Sequence, residues 1–135
     1  MILCDAGVLL CLVDRTQPQH ENYKNLVMRV NKPMVTTWAC LTEAMYLSLH
    51  RGGWVMQKQL GEMILDGLLT IYEIQSSDYN RLFVLMEKYQ DRPMDLADAT
   101  LVLTAEKTGC YQILTIDSDF LFYRIDNHIS FEIIK

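Results

Sequence analysis

Short apolar runs alternate with amphipathic stretches along this chain. Ile2-Leu3-Cys4 is the first run and reads as a strand leading into a second apolar segment, Val8 to Val13. Asp14 to Pro18 is polar and breaks the pattern. From Gln19 to Val30 the apolar residues Tyr23, Leu26, Val27 and Val30 share one face at helical spacing. Asn31-Lys32-Pro33 marks a turn and Met34 to Thr36 a brief strand, after which Thr36 or Thr37 can cap a helix running to about His50. Arg51-Gly52-Gly53 ends that helix, and a further helix is predicted from Gly53 to about Leu65. Leu68 to Ile74 alternates and is rich in β-formers, which predicts a strand. Ser76 or Ser77 caps a helix reaching about Tyr89, and Asp91-Arg92-Pro93 interrupts. Asp95 to Thr108 reads as a helix stopped by Gly109, Tyr111 to Ile116 as a strand, Ser118 to Tyr123 as a short helical turn, and Phe131 to Ile134 as the last strand.

Strands alternating with helices predict an α/β fold with a parallel sheet. Right-handed crossovers place the carboxyl ends of parallel strands on one edge, where ligands collect in such folds. Asp5 ends the first strand and Asp117 follows a late one, so both belong to that edge. With 135 residues, no repeat and no linker, the chain reads as one domain, 1–135.

Half the residues are hydrophobic, which places the chain among globular rather than disordered sequences. The net charge of −5 excludes a large basic surface, so nucleic-acid affinity would come from local patches or bound metal. Arg15, Lys24, Arg51, Lys58 and Arg92 are candidate backbone-phosphate contacts. No run reaches the roughly 18 apolar residues of a membrane span, and the N-terminus lacks the pattern of a signal peptide. The expected compartment is the cytoplasm, with Cys4, Cys11, Cys40 and Cys110 as reduced, buried thiols rather than a zinc or disulfide framework. Trp38, Trp54, Phe83, Met86 and Tyr89 are expected to pack in the core or a dimer contact.

Four carboxylates are hard to explain by folding alone. Asp5 suits a metal ligand, and equally the cap of a helix starting near Gly7. Glu43 interrupts a helix whose Trp38, Leu41, Met45 and Leu49 form an apolar stripe, with Ala39, Tyr46 and Leu47 beside it. That leaves little obvious solvent face, and a buried carboxylate needs a partner or a metal; the alternatives are a solvated Glu or a partner for His50 or Arg51. Asp95 and Asp98 have capping-box spacing, with Asp95 the better cap and Asp98 one turn further on. Asp117 and Asp119 flank Ser118, the first nearer the strand end. Gathered together, such groups would repel one another unless a divalent cation neutralised them. An all-carboxylate set suits Mg²⁺ or Mn²⁺ better than zinc. His20, His50 and His128 lie far from these motifs and are expected at the surface. A metal-dependent phosphodiesterase is the resulting expectation: metal-bound water attacks phosphorus, and Glu43 binds the metal or orients that water.

Ile-Leu-Cys-Asp at the N-terminus, Thr-Glu-Ala-Met-Tyr-Leu around Glu43, Met-Asp-Leu-Ala-Asp-Ala-Thr-Leu-Val around Asp98 and Ile-Leu-Thr-Ile-Asp-Ser-Asp-Phe around Asp117 resemble the PIN-domain ribonucleases, above all the VapC-type toxins of toxin–antitoxin pairs. The resemblance covers nearly the whole chain. It implies a three-layer α/β/α sandwich around a parallel sheet of about five strands in the order 3-2-1-4-5. It also implies Mg²⁺- or Mn²⁺-dependent cleavage of RNA by Asp5, Glu43, Asp98 and Asp117, with Asp95, Asp119 and Thr115 as accessories. A homodimer and a small antitoxin partner are implied as well, and the helix around Trp54 and Met56 is one place for either contact. One departure stands out. Relatives often carry Thr or Ser just after the first Asp, where this chain has Ala6 and Gly7, which removes a hydroxyl that would hold Asp5. The rival readings are a PIN nuclease of RNA processing and a PIN-like binding module without turnover. A phospho-acceptor receiver fits less well, because Cys4 precedes Asp5 and no Lys follows Ile113 to Ile116, and no Gly-rich phosphate loop is present.

Overall fold

A computed structural model describes residues 1–135. Five short strands form a parallel sheet: β1 (Ile2–Cys4), β2 (Met34–Thr36), β3 (Leu69–Ile71), β4 (Gln112–Leu114) and, last in the chain, β7 (Glu132–Ile133). Their order across the sheet is β3-β2-β1-β4-β7. Leaving aside a separate hairpin, this is the expected 3-2-1-4-5 arrangement, flanked by helices as an α/β/α sandwich. From β1 the chain winds outward through β2 to β3, then returns to place β4 on the other side of β1. That reversal makes the β1–β4 boundary the topological switch point of the sheet. The register pairs Leu3 with Ile113 and Cys4 with Leu114, so the residues leaving β1 and β4 emerge side by side.

The helices start where the caps direct. Asp5 caps α1 (Ala6–Val13), which is apolar nearly all round and is buried beneath its neighbours, as such a helix must be. A polar turn leads to α2 (His20–Val30), closed by Asn31 in the left-handed conformation. Thr37 caps α3 (Trp38–Leu65) through a bond from the Cys40 amide. Gly53 breaks that helix with φ 66 and ψ −156, where the sequence places the end of one helix and the start of the next. Asp95 caps α5 (Leu96–Thr108), whose residues from Ala97 to Ala105 are all buried, and Gly109 ends it with φ 72. One core cluster joins β1, β2, β4, α1 and α5. No helix is long and apolar enough to cross a membrane.

Several expectations require correction. The strand expected over Leu68 to Ile74 is only Leu69–Ile71, because β3 is an edge strand whose single neighbour, β2, is equally short. α4 (Tyr79–Lys88) is preceded by a 3-10 turn, Ser76–Asp78, and it is this turn that is capped, by Gln75, whose amide donates to the Asp78 carboxylate at 3.2 Å; neither Ser76 nor Ser77 caps the helix. Of the residues expected in the core or a dimer contact, Trp38, Trp54 and Phe83 lie outside the core and exposed, which leaves only the contact. His20 is not a surface residue: it is largely enclosed, and its Nδ1 lies 2.7 Å from the Cys11 carbonyl. Cys4, Cys11 and Cys40 are buried free thiols, whereas Cys110 is half-buried. An antiparallel hairpin, β5 (Arg124–Ile125) with β6 (Ile129–Ser130), is absent from the sequence reading. Its connection is Asp126-Asn127-His128, in which Asp126 and Asn127 both take positive φ and the His128 amide donates to the Ile125 carbonyl at 3.1 Å; the Asp-Asn pair was the available turn signal.

Candidate active site

Asp5 leaves β1 with its amide donating to the Leu114 carbonyl at 3.1 Å, which locks it beside the end of β4. Its Oδ1 accepts from the Ala6 amide at 2.7 Å, the cap bond expected of it. Its Oδ2 accepts from the Thr115 hydroxyl at 2.9 Å. Thr115 thus supplies the hydroxyl that Ala6 and Gly7 lack. The Thr115 oxygen in turn accepts from the Asp117 amide at 3.0 Å, so one side chain sets two acids. Gly7 is also the residue that the space permits: a Cβ there would lie 3.1 Å from Cγ1 of Ile116.

Asp98 enters from α5. Its amide donates to Oδ1 of the Asp95 cap at 2.8 Å, and its own Oδ2 accepts from the Tyr123 hydroxyl at 2.8 Å. Asp117 follows β4, and its Oδ1 accepts from the Asp119 amide at 2.9 Å. These three elements bring Asp5, Asp98 and Asp117 together, each offering a carboxylate oxygen, with those oxygens within 4.8 Å of one another.

The other expected residues stand around this triad. Glu43 is outside the three-carboxylate group and exposed on α3. The expected burial of its helix face does not hold. The inward residues are Cys40, Leu41, Ala44 and Ser48, while Trp38 and Leu49 of the supposed stripe face solvent. The reason is that α3 packs along a narrower face than the apolar count suggested. Glu43 nevertheless lies in the field of the site, since burial first and then Asp95 and Asp117 raise its pKa. Asp95 serves as a cap and is exposed. Asp119 lies 3.5 Å from Arg92, whose guanidinium stacks 3.4 Å from the Phe122 ring centroid. Of the other candidate phosphate contacts, Arg51 lies 3.9 Å from Asp14. Tyr123 was missed altogether, because only the fold brings it to Asp98.

The electrostatics are those of crowded, dehydrated acids. Burial pushes Asp5 up to about 6 against the lowering bonds from Thr115 and Ala6, with Asp117 and Glu43 adding repulsion. Burial pushes Asp98 up to about 8; the Tyr123 bond lowers it, and Asp95, Asp5 and Asp117 raise it. The Tyr123 phenol is raised strongly by burial and by Asp98, so it stays protonated and donates. Two acids that resist ionisation beside a third form a site suited to a cation. The donors are oxygens only, which fits a hard divalent ion.

The PIN domain family profile matches residues 2–127. The chain belongs to the PIN domain family. Among solved structures, the PIN domain described here is similar to the crystal structure of VapC20 from Mycobacterium tuberculosis, described as a sarcin–ricin loop cleaving toxin. The TM-score is 0.78 at 19% identity, over 88% of this chain and 92% of that one. That likeness is one of fold. A search of curated proteins finds no significant sequence match. Across residues 2–127 the PIN match includes all three clustered aspartates, Glu43 and Tyr123.

Proposed function

We propose that this PIN domain is a ribonuclease that hydrolyses RNA phosphodiester bonds with Mg²⁺ or Mn²⁺, and that it is the toxin of a cytoplasmic toxin–antitoxin pair. The observation that carries the reading is the convergence of Asp5, Asp98 and Asp117 at the switch point of a PIN fold, with carboxylate oxygens within 4.8 Å of one another. Asp5, Asp98 and Asp117 would hold the ion, and Glu43 would reach it directly or through water. A bound divalent cation supplies a water of lowered pKa and neutralises charge gathering on the phosphate.

The chain's own residues do the rest. Thr115 and the Ala6 amide hold Asp5 with both oxygens occupied by donors, so its orientation is set before substrate arrives. Glu43 is exposed on α3 with a pKa raised by desolvation and by Asp95 and Asp117, which suits a group that orients or accepts a proton from an attacking water. Asp95 and Asp119 flank the ligands and contribute negative field. Leu96, Ile116, Leu121 and Phe122 are exposed apolar residues near the acids in sequence and would offer apolar contacts to unstacked bases.

The similarity to VapC20, itself described as a toxin, supports the toxin role. Exposed Tyr46, Leu49, Trp54 and Val55 on α3 support contact with an antitoxin or a second copy as homodimer. The test is cleavage of RNA with and without Mg²⁺ by the wild type, Asp5→Asn and Asp98→Asn. Loss of Mg²⁺-dependent cleavage in both folded variants is expected, and unchanged turnover in both would sink the nuclease. Growth arrest on expression, relieved by a small protein encoded beside it, tests the toxin role.

A further inference from the structure

The three clustered aspartates are held in different ways. Asp5 accepts from the Ala6 amide and the Thr115 hydroxyl, and Asp117 from the Asp119 amide, so each has a backbone donor of its own turn. The carboxylate of Asp98 accepts from one protein group, the hydroxyl of Tyr123, at 2.8 Å across 25 residues of sequence. Its direction is therefore set by a side chain from another element.

Tyr123 is built to give that direction. It is fully buried. Its ring stands edge-to-face against Tyr89 and Phe120, with centroids 5.0 Å away in each case. Immediately after it, the Arg124 amide donates to the Tyr89 hydroxyl at 2.9 Å, so that hydroxyl is spent on backbone and makes no contact with Asp98. The hairpin that follows is tied down in turn. The Asp126 amide donates to Glu106 of α5 at 2.8 Å, and Arg81 and Lys88 of α4 donate to Asn127 Oδ1 at 3.2 and 3.1 Å. Because Glu106 and Asp98 are both on α5, the hairpin registers Tyr123 against the helix that carries its acceptor.

We infer that Tyr123, clamped by the β5–β6 hairpin, is a positioning residue that aims the Asp98 carboxylate into the three-aspartate cluster. The inference rests on the metal-dependent reading of the site and adds to it the residue that orients the ligand. Groups that orient metal ligands from behind commonly change affinity or activity about 10–100-fold when removed.

The experiment measures Mn²⁺ affinity from the free-ion electron paramagnetic resonance signal, together with Tm, for the wild type, Tyr123→Phe, Tyr89→Phe and Asp98→Asn. Tyr123→Phe keeps the ring and its packing while deleting the donor. Tyr89→Phe deletes the neighbouring hydroxyl, which touches backbone and not Asp98. The expected result is Mn²⁺ binding weakened about 10-fold or more in Tyr123→Phe and unchanged in Tyr89→Phe, even where the two lose similar Tm. RNA cleavage should follow with a lower kcat and an unaltered KM. Wild-type Mn²⁺ affinity in Tyr123→Phe, or an equal loss in Tyr89→Phe, would overturn the positioning role and leave the nuclease standing. Failure of the wild-type protein to bind Mn²⁺ would overturn the nuclease reading, and this inference with it.

Discussion

Thr115 does for Asp5 what a hydroxyl directly after it would do, from across the strand boundary. One Oγ1 donates to Asp5 and accepts from the Asp117 amide, so a single atom couples two candidate ligands. Thr115→Val keeps the shape and removes both bonds. It is expected to cost about 1–3 kcal/mol in urea denaturation, since it leaves buried groups unpaired, and to lower metal-dependent cleavage about 10–100-fold. Thr115→Ser keeps the hydroxyl and should retain most of both. This residue was legible as an accessory only through the resemblance of Ile-Leu-Thr-Ile-Asp-Ser-Asp-Phe to the PIN-domain pattern. Glu43 was legible as a residue of interest, but its burial was not. Counting apolar neighbours on a wheel cannot tell which side the rest of the fold covers.

At the scale of elements, the break in α3 matters most. Gly53 sits at φ 66 and ψ −156, a region essentially closed to residues with a Cβ, although open space surrounds it. Gly53→Ala should therefore destabilise the protein by about 1–3 kcal/mol through backbone strain alone, measured as a lower urea midpoint with an unchanged slope. The two glycines after Arg51 made this break readable in the sequence. The hairpin was harder: β5 and β6 are two residues each, and little apolar alternation marks so short a pair. Its stability comes from Arg81 and Glu106, paired at 3.0 and 2.8 Å, and from the Asp126 amide on the same carboxylate.

At the scale of the whole molecule, the crowded acids make stability depend on pH in an unusual direction. Asp5 at about 6 and Asp98 at about 8 lie above ordinary carboxylate values. Between pH 4 and pH 8 the native state then holds protons that the unfolded chain has released. The unfolded state binds fewer protons, so the slope of stability against pH is negative. The metal-free protein should therefore be most stable near the acid end of that window and lose stability as pH rises toward 8. Thermal melts across pH 4–8 in a chelator check this. On the proposed metal-binding reading Mn²⁺ would replace those protons, so it should raise Tm strongly at pH 8 and weakly at pH 5. Calorimetry in buffers of different ionisation enthalpy should show proton release on binding at pH 7.

The chain's linear pattern determined the alternation of strands and helices, the caps Asp5 and Asp95 and a cap at Thr36 or Thr37, the stops at Gly53 and Gly109, and therefore which acids sit at strand ends and helix starts. These are local matters, settled by side-chain periodicity and by backbone conformations that few residues adopt. Only the tertiary structure decided that Thr115 replaces the missing hydroxyl, that Glu43 stands outside the three clustered aspartates, and that Tyr123 reaches Asp98. Those contacts join residues tens of positions apart, and what joins them is the winding of the sheet about β1 and β4 and the docking of a small hairpin on α5. No local propensity encodes distances of that kind.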